Sequence, residues 1–174
     1  MKIIDNVIDD EYSNYLNKIV FEKFPWYFLN TSAYENEKID FSYSFYHILA
    51  EDNKDCSNYS QIFYPLILKC LSLTNLKDCF IKRARLGLIT KFHKKIVHSP
   101  HIDYKEPHST ILYYLNNSDG DTYFYKEKET DNYDVKFIGN YKKNRMILFD
   151  GLTYHSSSTP CYNNQRIVLN INLS

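Results

Sequence analysis

From residue 109 to the C-terminus the chain is a succession of short apolar runs, at 109–115, 122–126, 133–138, 145–149 and 166–173, rich in Ile, Leu, Phe and Tyr. Runs of this length and composition suit strands. Turn-forming residues separate them: Asn116-Asn117-Ser118-Asp119-Gly120, Gly139-Asn140 and Asp150-Gly151. Closely spaced strands bury their apolar sides by pairing into a sandwich or a barrel. No other stretch narrows the fold class as far.

The preceding half is mixed. Lys2 to Ile8 reads as a short strand or entry segment. Asp9 or Asp10 caps a helix running to about Phe24, where Tyr12, Leu16, Ile19, Val20 and Lys23 recur at three-to-four spacing and Pro25 ends the run. Trp26-Tyr27-Phe28 looks like a buried strand fragment, and residues 30–40 are polar and loop-like. Phe41, Tyr43, Phe45 and His47 alternate with Ser42, Ser44 and Tyr46, a half-buried strand in which His47 is a packed or rim residue rather than a ligand. A polar break over 51–58 precedes a helix over about 59–73, broken or started at Pro65. Over 78–90, Phe80, Lys82, Ala84, Leu86 and Leu88 alternate with Ile81, Arg83 and Arg85, a strand whose charged side faces solvent or a partner strand's carboxylates. No repeat or linker interrupts the chain. Its 174 residues read as one domain, with helical support over 1–77 and a strand-rich core over 78–174.

Aromatic residues make up 17% of the chain against only 4 Gly and 5 Pro, which excludes a disordered or collagen-like protein. Lys+Arg and Asp+Glu balance at 21 each, so no overall basic field steers the molecule to nucleic acid. The small clusters Lys91, Lys94, Lys95 and Lys142, Lys143, Arg145 read first as solvated loops and second as contacts to a local anion. No run of 18 apolar residues spans a membrane, and Met1-Lys2-Ile3-Ile4 lacks the long apolar run of a signal peptide. Cys56, Cys70, Cys79 and Cys161 show no C-x-x-C spacing, as expected of four reduced thiols in a cytoplasmic protein.

The chemistry gathers around His101-Ile102-Asp103. On an extended strand, residues two apart share a face about 6–7 Å apart along the axis, so imidazole and carboxylate reach one metal ion. A second imidazole from a distant strand completes two His and one carboxylate, a set that suits non-haem Fe(II) with positions left open. The tripeptide alone is weak, since composition yields roughly 0.4 such matches by chance. It gains weight from Tyr154-His155 directly after the run at 146–149, and from Arg166, eleven residues beyond His155, at the head of an apolar closing strand. A buried guanidinium there requires an anion, which its planar fork grips at two points. The plainer reading of Arg166 is an internal salt bridge at the sheet edge. His93, His98 and His108 read as rim or substrate-contact residues. A Zn(II) site from His98, His101 and His108 is the competing metal site, and it leaves His155 and Arg166 unexplained.

The ordered pattern His101-x-Asp103, Thr110-x-x-Tyr113-Tyr114-Leu115-Asn116, Asp119-Gly120-Asp121-Thr122-x-Phe124, Leu148-Phe149 before Tyr154-His155, and Arg166 resembles the Fe(II)/2-oxoglutarate-dependent dioxygenases. It is most similar to the prolyl-hydroxylase-like branch and to small viral and bacterial members. The resemblance covers about Phe80 to the C-terminus. It implies a mainly β protein with N-terminal helices and a double-stranded β-helix (jelly-roll) core, the metal lying in its open mouth. It further implies His101, Asp103 and His155 as Fe(II) ligands and Arg166 on the far carboxylate of 2-oxoglutarate. Tyr114 would give its hydroxyl to the same carboxylate, with Thr110 on the same inward face; Thr110, Leu112 and Tyr114 do share a face by period two. The cofactors implied are Fe(II), 2-oxoglutarate and O₂, with ascorbate as an accessory reductant.

Two departures stand out. Asp119-Gly120-Asp121 replaces the Gly-Gly-Glu of many relatives, and no Tyr lies among residues 84–90, where some relatives carry one. Asp103 implies hydroxylation, because halogenating relatives lack that carboxylate. The expected substrate is a peptide or protein side chain such as proline. The alternatives are a free amino acid or other small molecule, or a nucleobase served by Lys91, Lys94 and Lys95. A third class is a non-catalytic metal-binding jelly roll. The sequence carries nothing on oligomeric state.

Overall fold

In the computed structural model the described residues are 1–30, 43–74, 76, 79–126 and 133–174. Two antiparallel sheets face each other in a jelly roll. The smaller sheet joins β7 (Thr122–Tyr125) to β8 (Val135–Gly139) on one side and to β10 (His155–Ser157) on the other. The larger begins at β1 (Lys2–Asp5) and passes through β9 (Arg145–Asp150), β6 (Ser109–Tyr114), β11 (Gln165–Leu173), β5 (Ile81–Thr90) and β3 (Ser44–Glu51). It ends at β2 (Tyr27–Leu29), with the short β4 (Lys54–Asp55) hairpinned onto β3. The N-terminal half therefore adds strands to both edges of the sheet, besides the helices α1 (Asp10–Phe21) and α2 (Ser60–Thr74).

Period-two alternation divides the larger sheet into two working faces. Ile167, Leu169, Ile171 and Leu173 on β11, Ala84, Leu86 and Leu88 on β5, and Ile111 and Tyr113 on β6 bury one face against the helices through Leu16, Val20, Phe63, Leu66 and Ile67. The opposite face carries Leu112, Tyr114, Ile147, Phe149 and Val168, which close on Phe124 of the smaller sheet and on Tyr141. Strand register puts Arg166, Val168, Asn170 and Asn172 on that inner face, level with Ile89, Gly87, Arg85 and Arg83 of β5. Thr110, Leu112 and Tyr114 stand beside them. A core strand thus has one apolar side for the helices and a partly polar side for the interior of the roll.

Local chemistry explains most boundaries. Asp9 caps α1, its carboxylate accepting from the Tyr12 amide at 2.8 Å. The helix stops at Phe21 instead of continuing to about Phe24, because Phe24 leaves it to pack on the rings of Trp26, His47 and Tyr59. Tyr27 and Phe28 are not buried as expected but 57% and 58% exposed, since β2 is an edge strand. The expected loop over 30–40 and the strand start at Phe41 lie almost entirely outside the described residues. The polar break after Glu51 is a tight hairpin in which Asp52 and Asn53 take positive φ of 49° and 56°, a conformation short polar side chains tolerate. Pro65 neither breaks nor starts α2, which runs through it on the packing of Phe63, Leu66, Ile67 and Cys70. His47 is packed as expected, bonded to the Pro25 carbonyl and the Ser57 hydroxyl. None of the four cysteines is disulfide-bonded. No described helix is long and apolar enough to cross a membrane.

The second basic cluster is structural. Arg145 grips both oxygens of Asp5 at 2.6 and 3.0 Å and Lys142 adds a third contact at 2.8 Å, fastening β1 to β9. Arg145 and then Lys142 hold the Asp5 carboxyl well below the usual carboxylate range. A depressed pKa stabilises the fold above the ordinary value near 4 and fades as the pH falls below it. Asp5→Asn is expected to cost about 1 kcal/mol at pH 7, a partly exposed pair being screened. The gap from wild type should close below about pH 4 in urea melts. A gap independent of pH would mean that the carboxylate's charge contributes nothing.

Candidate metal and anion site

His101 and His155 are brought together by backbone. Each accepts the other's amide at 2.9 Å, a single bridge between the segment before β6 and the start of β10. Their ring centroids are 4.8 Å apart. The expected extended strand through His101-Ile102-Asp103 is not formed: His101 makes an isolated bridge and Asp103 lies in a bend. The bend still delivers the carboxylate, and one donor atom from each of His101, Asp103 and His155 lies within 4.8 Å of the others. In both imidazoles Nδ1 lies against a backbone carbonyl, Ser99 at 3.2 Å for His101 and Thr153 at 3.1 Å for His155. A proton on Nδ1 satisfies that carbonyl and leaves the lone pair on Nε2, the tautomer a metal requires. Burial, reinforced by the neighbouring His101, drops the His155 pKa to about 4, so its imidazole is neutral at pH 7.

Asp103 is held as firmly. Its Oδ1 accepts from Arg83 Nη2 at 3.1 Å, and its Oδ2 accepts from Asn170 Nδ2 at 3.0 Å and Asn172 Nδ2 at 2.9 Å. Burial alone pushes this carboxyl up; His155, Arg83 and the two amides outweigh burial and hold it well below the usual carboxylate range. A carboxylate has about four lone-pair positions. Three are used, which leaves room for one metal bond from a group fixed in place. Two imidazoles and one ionised carboxylate converging in this way fit a divalent first-row metal such as Fe(II).

Arg166 occupies the other end of the same cavity, a space of about 680 Å³ including its open mouth, with His101, Thr122, His155 and Val168 among its walls. Its side chain is buried, Nε donating to the Gly120 carbonyl at 2.8 Å and Nη2 to Thr122 Oγ1 at 2.9 Å. A Cβ at Gly120 would meet Arg166 Cδ at 2.9 Å and the Ser158 carbonyl at 2.6 Å, so this close approach needs glycine. Both partners of Arg166 are neutral. Among the described residues no carboxylate is within ion-pair distance, so the salt bridge of the plainer reading is absent.

The remaining sequence candidates fall elsewhere. The Tyr114 hydroxyl donates to Thr122 Oγ1 at 2.8 Å and its ring stacks on Tyr141, one residue behind the cavity wall. Thr122 accepts from both Tyr114 and Arg166, so its own hydroxyl hydrogen is left for a ligand. Thr110 does not join Arg166: it stands opposite Asn172, at the Asp103 end, and accepts from Asn172 Nδ2 at 3.1 Å. Asn172 lies six residues along β11 from Arg166, about 20 Å of strand. His98 is buried on Ser157 and not at a rim, and His108 is buried beside Gly151. Neither joins the triad, and the competing Zn(II) set is not assembled among the described residues. Sequence reasoning missed Thr122, Arg83, Asn170 and Asn172. The pattern was available for the last two, since Asn170 and Asn172 alternate with Ile171 on the face that Arg166 begins.

No protein-family model and no curated protein matches the sequence. Solved structures do match in fold. A 2OG-Fe(II) oxygenase family oxidoreductase from Burkholderia pseudomallei superposes with a TM-score of 0.69 at 12% identity, over 97% of this chain and 81% of that one. The non-heme alpha-ketoglutarate-dependent epimerase SnoN of nogalamycin biosynthesis gives 0.69 at 11%, over 99% and 76%. A prolyl hydroxylase from Trichoplax adhaerens, solved with a hypoxia-inducible-factor oxygen-degradation-domain peptide fragment, gives 0.56 at 14%, over 99% and 82%. The chain has the jelly-roll fold of the 2-oxoglutarate/Fe(II) oxygenases.

Proposed function

We propose that this protein is an Fe(II)- and 2-oxoglutarate-dependent oxygenase that hydroxylates an unactivated C–H bond of a peptide or protein side chain such as proline. One observation carries the reading: both histidines of a His-Asp-His donor set line the same cavity as a buried guanidinium that has no counter-ion among the described residues. His101, Asp103 and His155 would hold Fe(II). Bound there, iron supplies the activation of O₂ that couples oxidative decarboxylation of 2-oxoglutarate to hydroxylation.

The chain's own residues bind and orient. Arg166 takes the far carboxylate of 2-oxoglutarate by charge-assisted hydrogen bonds, and Thr122 adds a hydroxyl donor. Tyr114 contributes by fixing Thr122. Arg83, Asn170 and Asn172 keep Asp103 ionised and aimed, and the Ser99 and Thr153 carbonyls hold the imidazole tautomers. Leu88, Ile89, Leu112 and Val168 supply the apolar wall that limits water around the reacting groups. The peptide assignment is supported by the peptide-bound Trichoplax adhaerens enzyme, which has the same fold, and by a net charge of zero, which gives nucleic acid no overall attraction.

The direct test is succinate formation from 2-oxoglutarate with Fe(II) and ascorbate, with and without proline-containing peptides. Slow succinate release by protein alone, stimulated at least tenfold by one of the peptides, is the expected result. Absence of succinate under every condition, from protein that binds iron, would sink the assignment. A steep fall of substrate stimulation with salt would transfer the substrate to nucleic acid.

A further inference from the structure

The oxygenase reading uses Arg166 and leaves a second buried guanidinium in the same cavity without a role. Arg85 sits on the inner face of β5, level with Asn170 of β11, and lines the cavity with Asn170, Tyr46 and His101. Its Nε is buried without a hydrogen-bond partner, and so is Asn170 Oδ1 beside it. Among the described residues Arg85 has no ion pair: Asp103, the nearby carboxylate, is engaged by Arg83.

Net charge points the same way. Three guanidiniums, Arg83, Arg85 and Arg166, face one carboxylate, Asp103, in and behind the cavity wall. Asp121, near Arg166, is paired with Lys95. A divalent metal and doubly charged 2-oxoglutarate cancel, which leaves the cavity positive after both have bound. 2-Oxoglutarate does not supply the missing anion. Its terminal carboxyl carbons are only about 5 Å apart, four C–C bonds end to end. In that reading both of its carboxylates are already assigned, one to Arg166 and the other to the metal, which leaves none for Arg85. It stands on the β3 side of Asn170, whose amide already touches Asp103. That is where a primary substrate must lie to present a C–H bond to the metal.

We propose that Arg85 determines specificity by binding a carboxylate of the primary substrate, so that the oxidised carbon belongs to a free amino acid or to a peptide residue bearing a nearby carboxylate. The inference rests on the oxygenase reading for its chemistry and narrows the substrate that reading admits. Asn170 Oδ1, also unpartnered, accepts an N–H from the same substrate. A buried fork leaves a neutral analogue facing an unpaired charge, which is a strong basis for rejection.

Calorimetric titration of protein loaded with Mn(II) and 2-oxoglutarate tests this without turnover. The probes are L-proline, acetyl-glycyl-L-proline and the amide of the latter, each titrated also into metal-free protein. At least one acid should bind roughly tenfold or more tightly than the amide; which acid does so separates the free amino acid from the peptide terminus as the source. Arg85→Met should abolish the preference while 2-oxoglutarate affinity stays within about twofold. That variant removes an uncompensated buried charge, so it should fold at least as well as wild type. Arg85→Lys, which keeps charge without the fork, should retain part of the preference. Equal binding of acids and amide overturns the proposal, and so does parallel loss of acid and 2-oxoglutarate binding in Arg85→Met. Protein that fails to bind 2-oxoglutarate but still takes the acid through Arg85 refutes the oxygenase reading and leaves the anion site standing.

Discussion

His155→Ala is expected to lower 2-oxoglutarate-coupled succinate formation by roughly a thousandfold, about 4 kcal/mol of barrier, with a parallel loss of iron affinity. His155 is one of three converging donors, and its Nε2 lies 3.9 Å from Asp103 Oδ2. Among the described residues nothing nearby replaces it, because His98 and His108 are tied to other partners outside the triad. The fold should survive. The amide and carbonyl that bridge residues 155 and 101 belong to the backbone and persist in alanine. Truncating an imidazole packed on Phe124 and Phe149 leaves a cavity costing about 2–3 kcal/mol. His47→Ala is the matched control: equally buried but packed on Phe24 and remote from the triad, it should lose stability and keep iron. Iron binding titrations and thermal melts on both variants separate the two effects. Full activity in His155→Ala would remove the proposed metal centre.

Arg166→Ala should raise the 2-oxoglutarate concentration required for half-saturation by about a hundredfold or more, the loss expected when one side of a buried charge pair is removed. Iron affinity should change by less than about threefold. The reason lies in the layout. Arg166 contacts Gly120 and Thr122, whereas the proposed metal ligands are braced by Arg83, Asn170, Asn172, Ser99 and Thr153. No hydrogen bond from Arg166 reaches that second set. Arg166→Met, which preserves bulk, guards against a collapse of the wall and should give the same selective loss. Equal loss of iron and 2-oxoglutarate binding would make Arg166 a structural residue.

These expectations follow from side chains that differ in how far the sequence disclosed them. His155 and Arg166 were legible because each follows or opens a run of unmistakable strand residues, where an imidazole or a guanidinium is conspicuous. Arg83 and Arg85 were equally visible, yet their direction was not. An alternating strand has two sides, and the charged one was assigned to solvent or to a neighbouring strand. In the roll it faces inward, where Arg83 meets Asp103 across twenty residues of chain. Thr122 stood in the Asp119-Gly120-Asp121-Thr122-x-Phe124 pattern with no role attached to it. Its importance comes from accepting hydrogen bonds from Tyr114 and Arg166, which reach it from two neighbouring strands of the facing sheet.

By itself the sequence determined the strand-rich core, a helix cap at Asp9 or Asp10, the period-two sharing of a face by Thr110, Leu112 and Tyr114, and the donor types of the site. All of these depend on interactions within a few residues, or on the chemistry of the residue itself. Only the tertiary structure decided that β1, β2 and β3 extend the same sheet and that a bend, not a strand, aims Asp103. The same holds for the placing of Thr110 at the Asp103 end and of Tyr114 behind Thr122, and for the absence of a counter-ion at Arg166 and Arg85 among the described residues. Pairing partners and counter-ions come from segments distant along the chain, and which of them meet depends on the closure of the two sheets upon each other.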